Sequence, residues 1–582
     1  MSIIKILIAL EFTLSVPRAW AAPAPKWPPV PSGLQTAISP NEIFSRSISD
    51  SSGDIFLLPK AFHFLLSEEE FQTERLLPSH MAARPGGQPA TIVPPHPMIT
   101  HSATWDYDLR IPLAFYDPRQ QWFSQGTYNA TAVQQDVAPT LADVLRIAAP
   151  DRSVGRILSE ARRPASAVLP KIVAVLVQDQ MGWQYFAAHP NRAPYIRSIL
   201  AKSALFVNAQ VAHVDVETAV GHAAIGTGAY ARGHGVNGNA AWNTGLWVAK
   251  PVFSADLPDQ KSTDSYPLLY NAATLADVWV ASNQNKPNVL SMVAAQRASI
   301  SLGGHGSMFR QGKKTDVMFF QEHGDKALQY VTNESFYHLP DSVRGKSVLP
   351  YATAFQAEKG GRWFGHELVT ASGDPVLRFI RTSPAQVRFE SDLVTSAIAE
   401  LKLGQGSETD LLFLNFKSSD YCGHIFGYES EECGEVLDAV DSAVKRLVET
   451  LQVATNGQFV LAYTADHGAA PLPELSGGKR YNSTKLLADL NKKFSVPGGR
   501  LDAFPFMSNS QIWANKPELA RAGHTIAEVV SYLQNYQVPM AAPWNMLAAD
   551  WLKKGKPLTD KFFYQVVSRT TIERGQSLQR SP

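Results

Sequence analysis

The chain of 582 residues is short of several things. It has two cysteines, Cys422 and Cys433, eleven positions apart. In an oxidising compartment that pair reads as a local disulfide; the alternative is two separate buried thiols, and a metal role for Cys422 is set aside. It has no charge bias, because 53 Lys and Arg stand against 52 Asp and Glu. So even a balance gives no reason to expect nucleic acid as a partner. No internal repeat is visible, and beyond the N-terminus no run approaches the ~20 apolar residues of a membrane span. What remains is a large globular chain, 45% hydrophobic, with ample material for a core.

The N-terminus reads MSIIKILIALEFTLSVPRAWAAPAPKWPPVP. A lysine, an apolar stretch and the small-residue site Ala19-Trp20-Ala21 predict a secretory signal over residues 1–21, with export to the periplasm or medium. Glu11 and Arg18 interrupt the pattern, so an uncleaved anchor is the alternative. The Pro-rich stretch after it predicts a linker over 22–50.

Several apolar runs end in a polar residue: KIVAVLVQD at Asp179, DLLFLNFKSSD at Asp420 and GQFVLAYTADHG at Asp466 and His467, with IPLAFYDP as a fourth. Such runs predict buried strands of a mostly parallel sheet. Helical segments such as APYIRSILAKSA and EVLDAVDSAVKRLVETLQ lie between them, so the fold class is α/β with helices on both faces. Ligands of open α/β sheets collect at the carboxyl ends of strands, where these acids and histidines fall. Residues 246–400, rich in aromatics, Pro and Gly, predict cap insertions over the catalytic face.

Each chemical signal also has a plain structural reading. Asp420 and His424 share the i, i+4 spacing of one helical turn, which suits a shared metal and equally a solvated surface. Asp466-His467-Gly468 fits a strand-end turn, and Asp179 fits a helix cap. Thr218 precedes a helical run and reads as an N-cap, yet a helix start also favours an alkoxide and a phosphate. His222 and His234 read as structural hydrogen-bonding residues, and His524 as an exposed helix start.

Taken together these segments resemble the alkaline phosphatase superfamily, in the branch of threonine-nucleophile phosphatases and type I phosphodiesterase/nucleotide pyrophosphatases. VQDQMGWQYF is similar to the opening metal motif, ETAVGHAAIGTGAYARGHGVNGN to the nucleophile motif, and SSDYCGHIFG and TADHGAAPLPE to the two later metal motifs. The resemblance implies two zinc ions. Asp420, His424 and a third histidine would hold one; Asp179, Asp466, His467 and the Thr218 oxygen would hold the other. Thr218 would be the nucleophile, passing through a phosphothreonine, and Asn239 would bind the phosphoryl group. The substrate implied is a small-molecule phosphate ester; no oligomeric state follows.

The family's third histidine normally comes after the Asp-His-Gly motif, where this chain offers only His524. The matching segment lies near the N-terminus instead, in HSATWDYDLRIPLAFYDP followed by QQDVAPTLADVLRI, and it makes His101 the candidate. VVSRTTIERGQ near the C-terminus similarly resembles the first half of a connection that continues in SSGDIFLLPKAFHF. The order therefore resembles a circular permutation. Residues 51–165 would be the usual C-terminal part of the catalytic domain, 166–245 the core with the nucleophile, and 401–582 the core with the later metal motifs.

One departure bears on the substrate. Monoesterases of this branch carry a Lys-x-Arg pair; in SMVAAQRASISLGG, Arg297 fits the arginine but Ala295 stands at the lysine. A dianionic monoester loses a partner there that a singly charged diester needs less. The leading expectation is thus an exported zinc phosphate-ester hydrolase of monoesterase type. The alternatives are a phosphodiesterase or nucleotide pyrophosphatase, and a zinc-binding protein without turnover.

Overall fold

The computed structural model describes residues 40–66, 99–164, 168–243, 248–253, 271–308, 315–321, 328–370, 375–476, 478–539 and 559–574, with Pro267 and Gly373. The expected signal and most of the expected linker lie outside these residues. So does much of the Pro-rich and aromatic stretch after 246.

A central sheet organises the described residues. Nine of its ten strands are β1 (Leu113–Tyr116), β2 (Gly126–Val133), β3 (Ile172–Val177), β4 (Ala204–Gln210), β5 (Val289–Val293), β6 (Thr315–Gln321), β7 (Gln329–Val331), β8 (Asp410–Asn415) and β9 (Phe459–Thr464). They lie in the order β7-β6-β5-β8-β3-β9-β1-β4-β2, with Tyr337–His338 pairing beside β6. The five from β6 to β9 in that order run parallel, while β1 is antiparallel to both neighbours.

Every residue of β3, β5, β8 and β9 is buried, which explains their unbroken apolar runs. Alternate residues serve opposite faces. Val173, Val175, Phe413 and Val460 join one apolar cluster, and Ile172, Ala174, Leu412 and Leu461 join the other. The first cluster takes in helix α1 (Val137–Leu145); the second takes in the apolar stripes of α4 (Pro384–Glu400) and α6 (Glu431–Thr455). Between them in sequence come α2 (Thr218–Thr227), α3 (Gln296–Gly303) and α5 (Ser418–Phe426). This is the α/β sandwich expected, with a mostly parallel sheet and helices on both faces.

Two expectations need correction. The linker does not extend to residue 50. Pro40–Ser47 is a helix that buries Ile43 and Phe44, and the Ser47 hydroxyl accepts from Val214 N–H at 2.6 Å. Residues 246–400 are not a cap throughout, because β5 and β6 are apolar runs paired inside the central sheet and α3 packs against α2. The aromatic content had hidden two ordinary core strands.

Segments from early and late in the chain meet in a separate four-stranded antiparallel sheet. Ile55–Pro59 pairs with Phe563–Ser568 on one side and Gln511–Trp513 on the other. From there residues 99–145 run back to the main sheet, where β1 sits between β9 and β4. No described helix is long and apolar enough to cross a membrane.

Candidate active site

Three adjacent parallel strands, β8, β3 and β9, deliver side chains at their carboxyl ends. Asp179 follows β3, Asp466 and His467 follow β9, and Asp420 and His424 lie one turn apart on α5 just beyond β8. Two groups result. His101, Asp420 and His424 offer ligand atoms within 4.8 Å of one another, and so do Asp179, Asp466 and His467. Six of the seven sequence-predicted metal ligands therefore fall in these two groups, His101 included; the seventh is the Thr218 oxygen.

The histidines share one arrangement. His101 Nδ1 is 2.5 Å from the Val216 carbonyl, His467 Nδ1 is 2.9 Å from the Gly468 carbonyl, and His424 Nδ1 bonds the Ile99 carbonyl. A carbonyl accepts only, so Nδ1–H donates and Nε2 is left as the ring atom that a metal would engage. Nε2 of His424 lies 3.2 Å and that of His101 3.8 Å from Asp420 Oδ1. In the second group the buried atoms Asp179 Oδ1, Asp466 Oδ2 and His467 Nε2 have no hydrogen-bond partner. Atoms like these cost free energy unless a ligand engages them. The residues fit a pair of divalent cations.

Electrostatics points the same way. Burial and then the Asp466 carboxylate push Asp179 up to about 6, against the pull of Lys417. Burial also opposes ionisation of Asp466 and Asp420. His467, His222 and Lys417 nevertheless hold Asp466 below the usual carboxylate range, and Lys417 and His424 do the same for Asp420. Burial, then His467 and His424, hold His101 well below the ordinary imidazole range and so neutral. Packing three carboxylates this closely requires positive charge.

Thr218 lies beside both groups, and its position corrects the cap reading. The N-cap position of α2 is Glu217, which makes no side-chain cap bond, and Thr218 is the first helical residue, so its hydroxyl is not spent on a cap. Thr218 Oγ1 lies 3.2 Å from the Lys417 ammonium. The crowd of small residues in α2 has a spatial cause. A Cβ on Gly221 would come within 2.7 Å of the Asp466 carbonyl oxygen, and one on Gly226 within 2.2 Å of the Ser301 carbonyl oxygen. Only glycine lets the helix sit this close to the metal loop and to α3. His222 has the expected structural role, with Nδ1 donating to the Thr218 carbonyl and Nε2 accepting from Asn415. His234 Nδ1 accepts from Val236 N–H, and His524 stays outside both ligand groups.

Asn239 is drawn to the start of α2. Its Oδ1 accepts from Ala219 N–H at 3.1 Å and its own N–H donates to Glu217 Oε2, which leaves the side-chain NH2 as a donor. Arg297 lies in the first turn of α3, half-buried, with Nε unpartnered and close enough to act on the Lys417 charge. Ala295, by contrast, is a buried member of the apolar core.

Three residues of the site escaped the sequence reading. Lys417 Nζ is 2.6 Å from Asp179 Oδ2 and 2.8 Å from Asp420 Oδ2, joining the two groups. Asn415 Nδ2 donates to Asp179 Oδ2 at 3.2 Å. Gln180, at φ 65°, donates its backbone N–H to Asp466 and its Nε2–H to Asp420, so a left-handed residue ties one group to the other. The available signal was position: Asn415 and Lys417 lie at or within two residues of the end of β8, and Gln180 directly follows the ligand Asp179.

Disulfide-bonded Cys422 and Cys433 fasten α5 to α6 beside the Asp420–His424 turn, as the spacing suggested.

Residues 173–545 match the profile of the type I phosphodiesterase / nucleotide pyrophosphatase family. The chain belongs to that family. Membership bears out the expected superfamily and its class, the phosphoric-ester hydrolases. A protein of Myroides odoratus named calcium-transporting ATPase is 24% identical over 380 residues, 60% of this chain and 69% of that protein. Alkaline phosphatase PhoK of a Sphingomonas species is 25% identical over 327 residues. That match spans 54% of this chain and little more than half, 57%, of PhoK. The crystal structure of wild type alkaline phosphatase PafA is 18% identical, with TM-score 0.49, covering 69% of this chain and 86% of that one. His101 lies outside the stretch that matches the family profile.

Proposed function

We propose that this chain is an exported phosphate-ester hydrolase that uses two zinc ions and Thr218 as nucleophile. The observation that carries the reading is the threonine hydroxyl at a helix start beside two buried His/Asp groups, in one of which Asp179 Oδ1, Asp466 Oδ2 and His467 Nε2 have no hydrogen-bond partner. Imidazole nitrogen with carboxylate oxygen suits zinc. When bound, such ions would supply Lewis acidity, lowering the pKa of the hydroxyl and of water and stabilising charge on entering and leaving oxygens.

The remaining chemistry falls to side chains. Thr218 Oγ1 attacks phosphorus as the ester oxygen departs, leaving a phosphothreonine; water then releases phosphate and returns the hydroxyl. The amide ends of the first turn of α2 favour the negative charge that develops. Asn239 donates its NH2 to a non-bridging phosphoryl oxygen and Arg297 offers its unpartnered Nε–H, so charge is held through the transition state.

The substrate is a small phosphate ester, and the even charge balance of the sequence gives no reason to expect nucleic acid. Export rests on the leader-like N-terminus and on the disulfide, which suits an oxidising compartment. The circularly permuted order is supported by the pairing of residues 55–59 with 563–568, by β1 inside the main sheet, and by His101 among the ligands. The diester alternative is favoured by one feature, the apolar Ala295.

Hydrolysis of an aryl phosphate monoester and its methyl diester by zinc-loaded protein tests the reading, with Thr218→Ala alongside. The expected result is turnover of at least one ester and a loss on the order of 10³-fold or more in the variant. Bound zinc with no phosphate release from either ester would favour a protein that keeps the scaffold without catalysis.

A further inference from the structure

We propose that Lys417 is the specificity-determining cation that makes this site a phosphate monoesterase, in place of the lysine absent at Ala295. The inference rests on the proposed hydrolase function and names its substrate class as dianionic phosphate monoesters.

The argument begins with position. A Lys-x-Arg pair brings two cations from one segment, but here that segment keeps only Arg297, and Ala295 faces the apolar core. The second cation comes from the end of β8, on a different element. Lys417 is 1% exposed, and its Nζ is 3.2 Å from Thr218 Oγ1, the atom that would carry the phosphoryl group. A buried lysine is tolerated only where its charge has partners. Asp179 and Asp420 supply them, with carboxylate oxygens 2.6 and 2.8 Å from Nζ.

Those same carboxylates belong to the two ligand groups, so divalent cations would share their charge and loosen the hold on Nζ. An ammonium has three donors on a flexible stem, so it can exchange a carboxylate for a phosphoryl oxygen beside Thr218 without leaving the cavity. The Tyr421 ring steadies the head group, with Nζ 5.4 Å from its centroid and Arg381 on the same ring at 4.8 Å. Arg297, in the first turn of α3 with its Nε unpartnered, is near enough for its charge to act on Lys417. A dianion between Lys417 and Arg297 has both charges met, whereas a diester has one charge for two cations.

A purely structural alternative exists: Lys417 could serve only as a counter-ion that keeps the ligand carboxylates apart. Three readouts on zinc-loaded protein separate the roles for Lys417→Met and Lys417→Arg: bound metal per chain, calorimetric affinity for inorganic phosphate, and kcat/KM for the monoester and the diester. The proposal predicts unchanged metal content in both variants. Lys417→Met should bind phosphate about 10-fold more weakly or worse and lose about 100-fold on the monoester, with less than about 10-fold on the diester. Lys417→Arg, which keeps the charge, should recover most of the phosphate affinity. Equal losses on both esters together with lost metal would overturn the proposal, as would phosphate affinity insensitive to Met. If the wild type hydrolyses neither ester, the proposed function fails, yet the phosphate titration still decides the role of Lys417.

Discussion

The two ligand groups at the edge of the sheet are built in different ways. Asp179, Asp466 and His467 leave the ends of adjacent parallel strands, and all three are fully buried. Strand register alone brings them together. The other group is assembled across chain order: Asp420 and His424 come from a helical turn, and His101 comes from a segment more than 300 positions earlier. Its His424 keeps 15% of its side chain exposed. This second group is held by local stitching, in which Ile99 N–H donates to the His424 carbonyl while His424 Nδ1–H donates back to Ile99, and by the disulfide to α6. The difference teaches that one site is a property of the sheet and the other a property of contacts, so they should fail separately.

The largest effect is expected at the strand-end group. Asp466→Asn should cost on the order of 10³-fold or more in activity, because it removes a ligand carboxylate and weakens the balance around Asp179. The fold should survive, since β9 keeps its core residues; a circular dichroism spectrum unlike the wild type would break that separation.

Cys422→Ser with Cys433→Ser probes the contact-built group. The chain-entropy model gives a stability loss of about 3 kcal/mol for a loop of this size, read by denaturant titration. Metal should be lost first from the His101–Asp420–His424 group; equal weakening of both metals would contradict the comparison.

A buried carboxylate outside both groups sharpens the contrast, because a proton relieves it where cations would relieve theirs. Glu390 on α4 accepts from Tyr330 Oη at 2.7 Å and Gln386 Nε2 at 2.9 Å, and burial pushes it from 4.5 up to about 7. The folded state therefore holds a proton that the unfolded chain releases between those values. Stability from this group is full below about 4.5 and is lost as pH rises through about 7. Glu390→Gln should remove about 2–3 kcal/mol of that pH dependence, measured by unfolding at about pH 5 and about pH 8. An unchanged slope would assign the dependence to other groups.

Much of this was legible in the sequence, for physical reasons. Buried parallel strands must be continuous apolar runs, so KIVAVLV, LLFLN and FVLAYT announced themselves, and ligands at their carboxyl ends followed. His101 was found through its segment's resemblance rather than through any property of the histidine. Lys417 was missed because a lysine after a strand is ordinarily a surface residue, and only the meeting of Asp179, Asp420 and Thr218 gives it a role. The strands β5 and β6 were hidden for the opposite reason, since the Pro- and aromatic-rich sequence around them outweighed two short apolar runs.

The central claim is that a histidine from the N-terminal segment completes a two-metal site. Counting zinc per chain in the wild type and in His101→Ala, by elemental analysis after dialysis and by calorimetric titration, tests it most directly. The account predicts two tight equivalents in the wild type. In the variant it predicts one tight equivalent, with the second weakened by about 100-fold or more. Two equally tight equivalents in His101→Ala would contradict it.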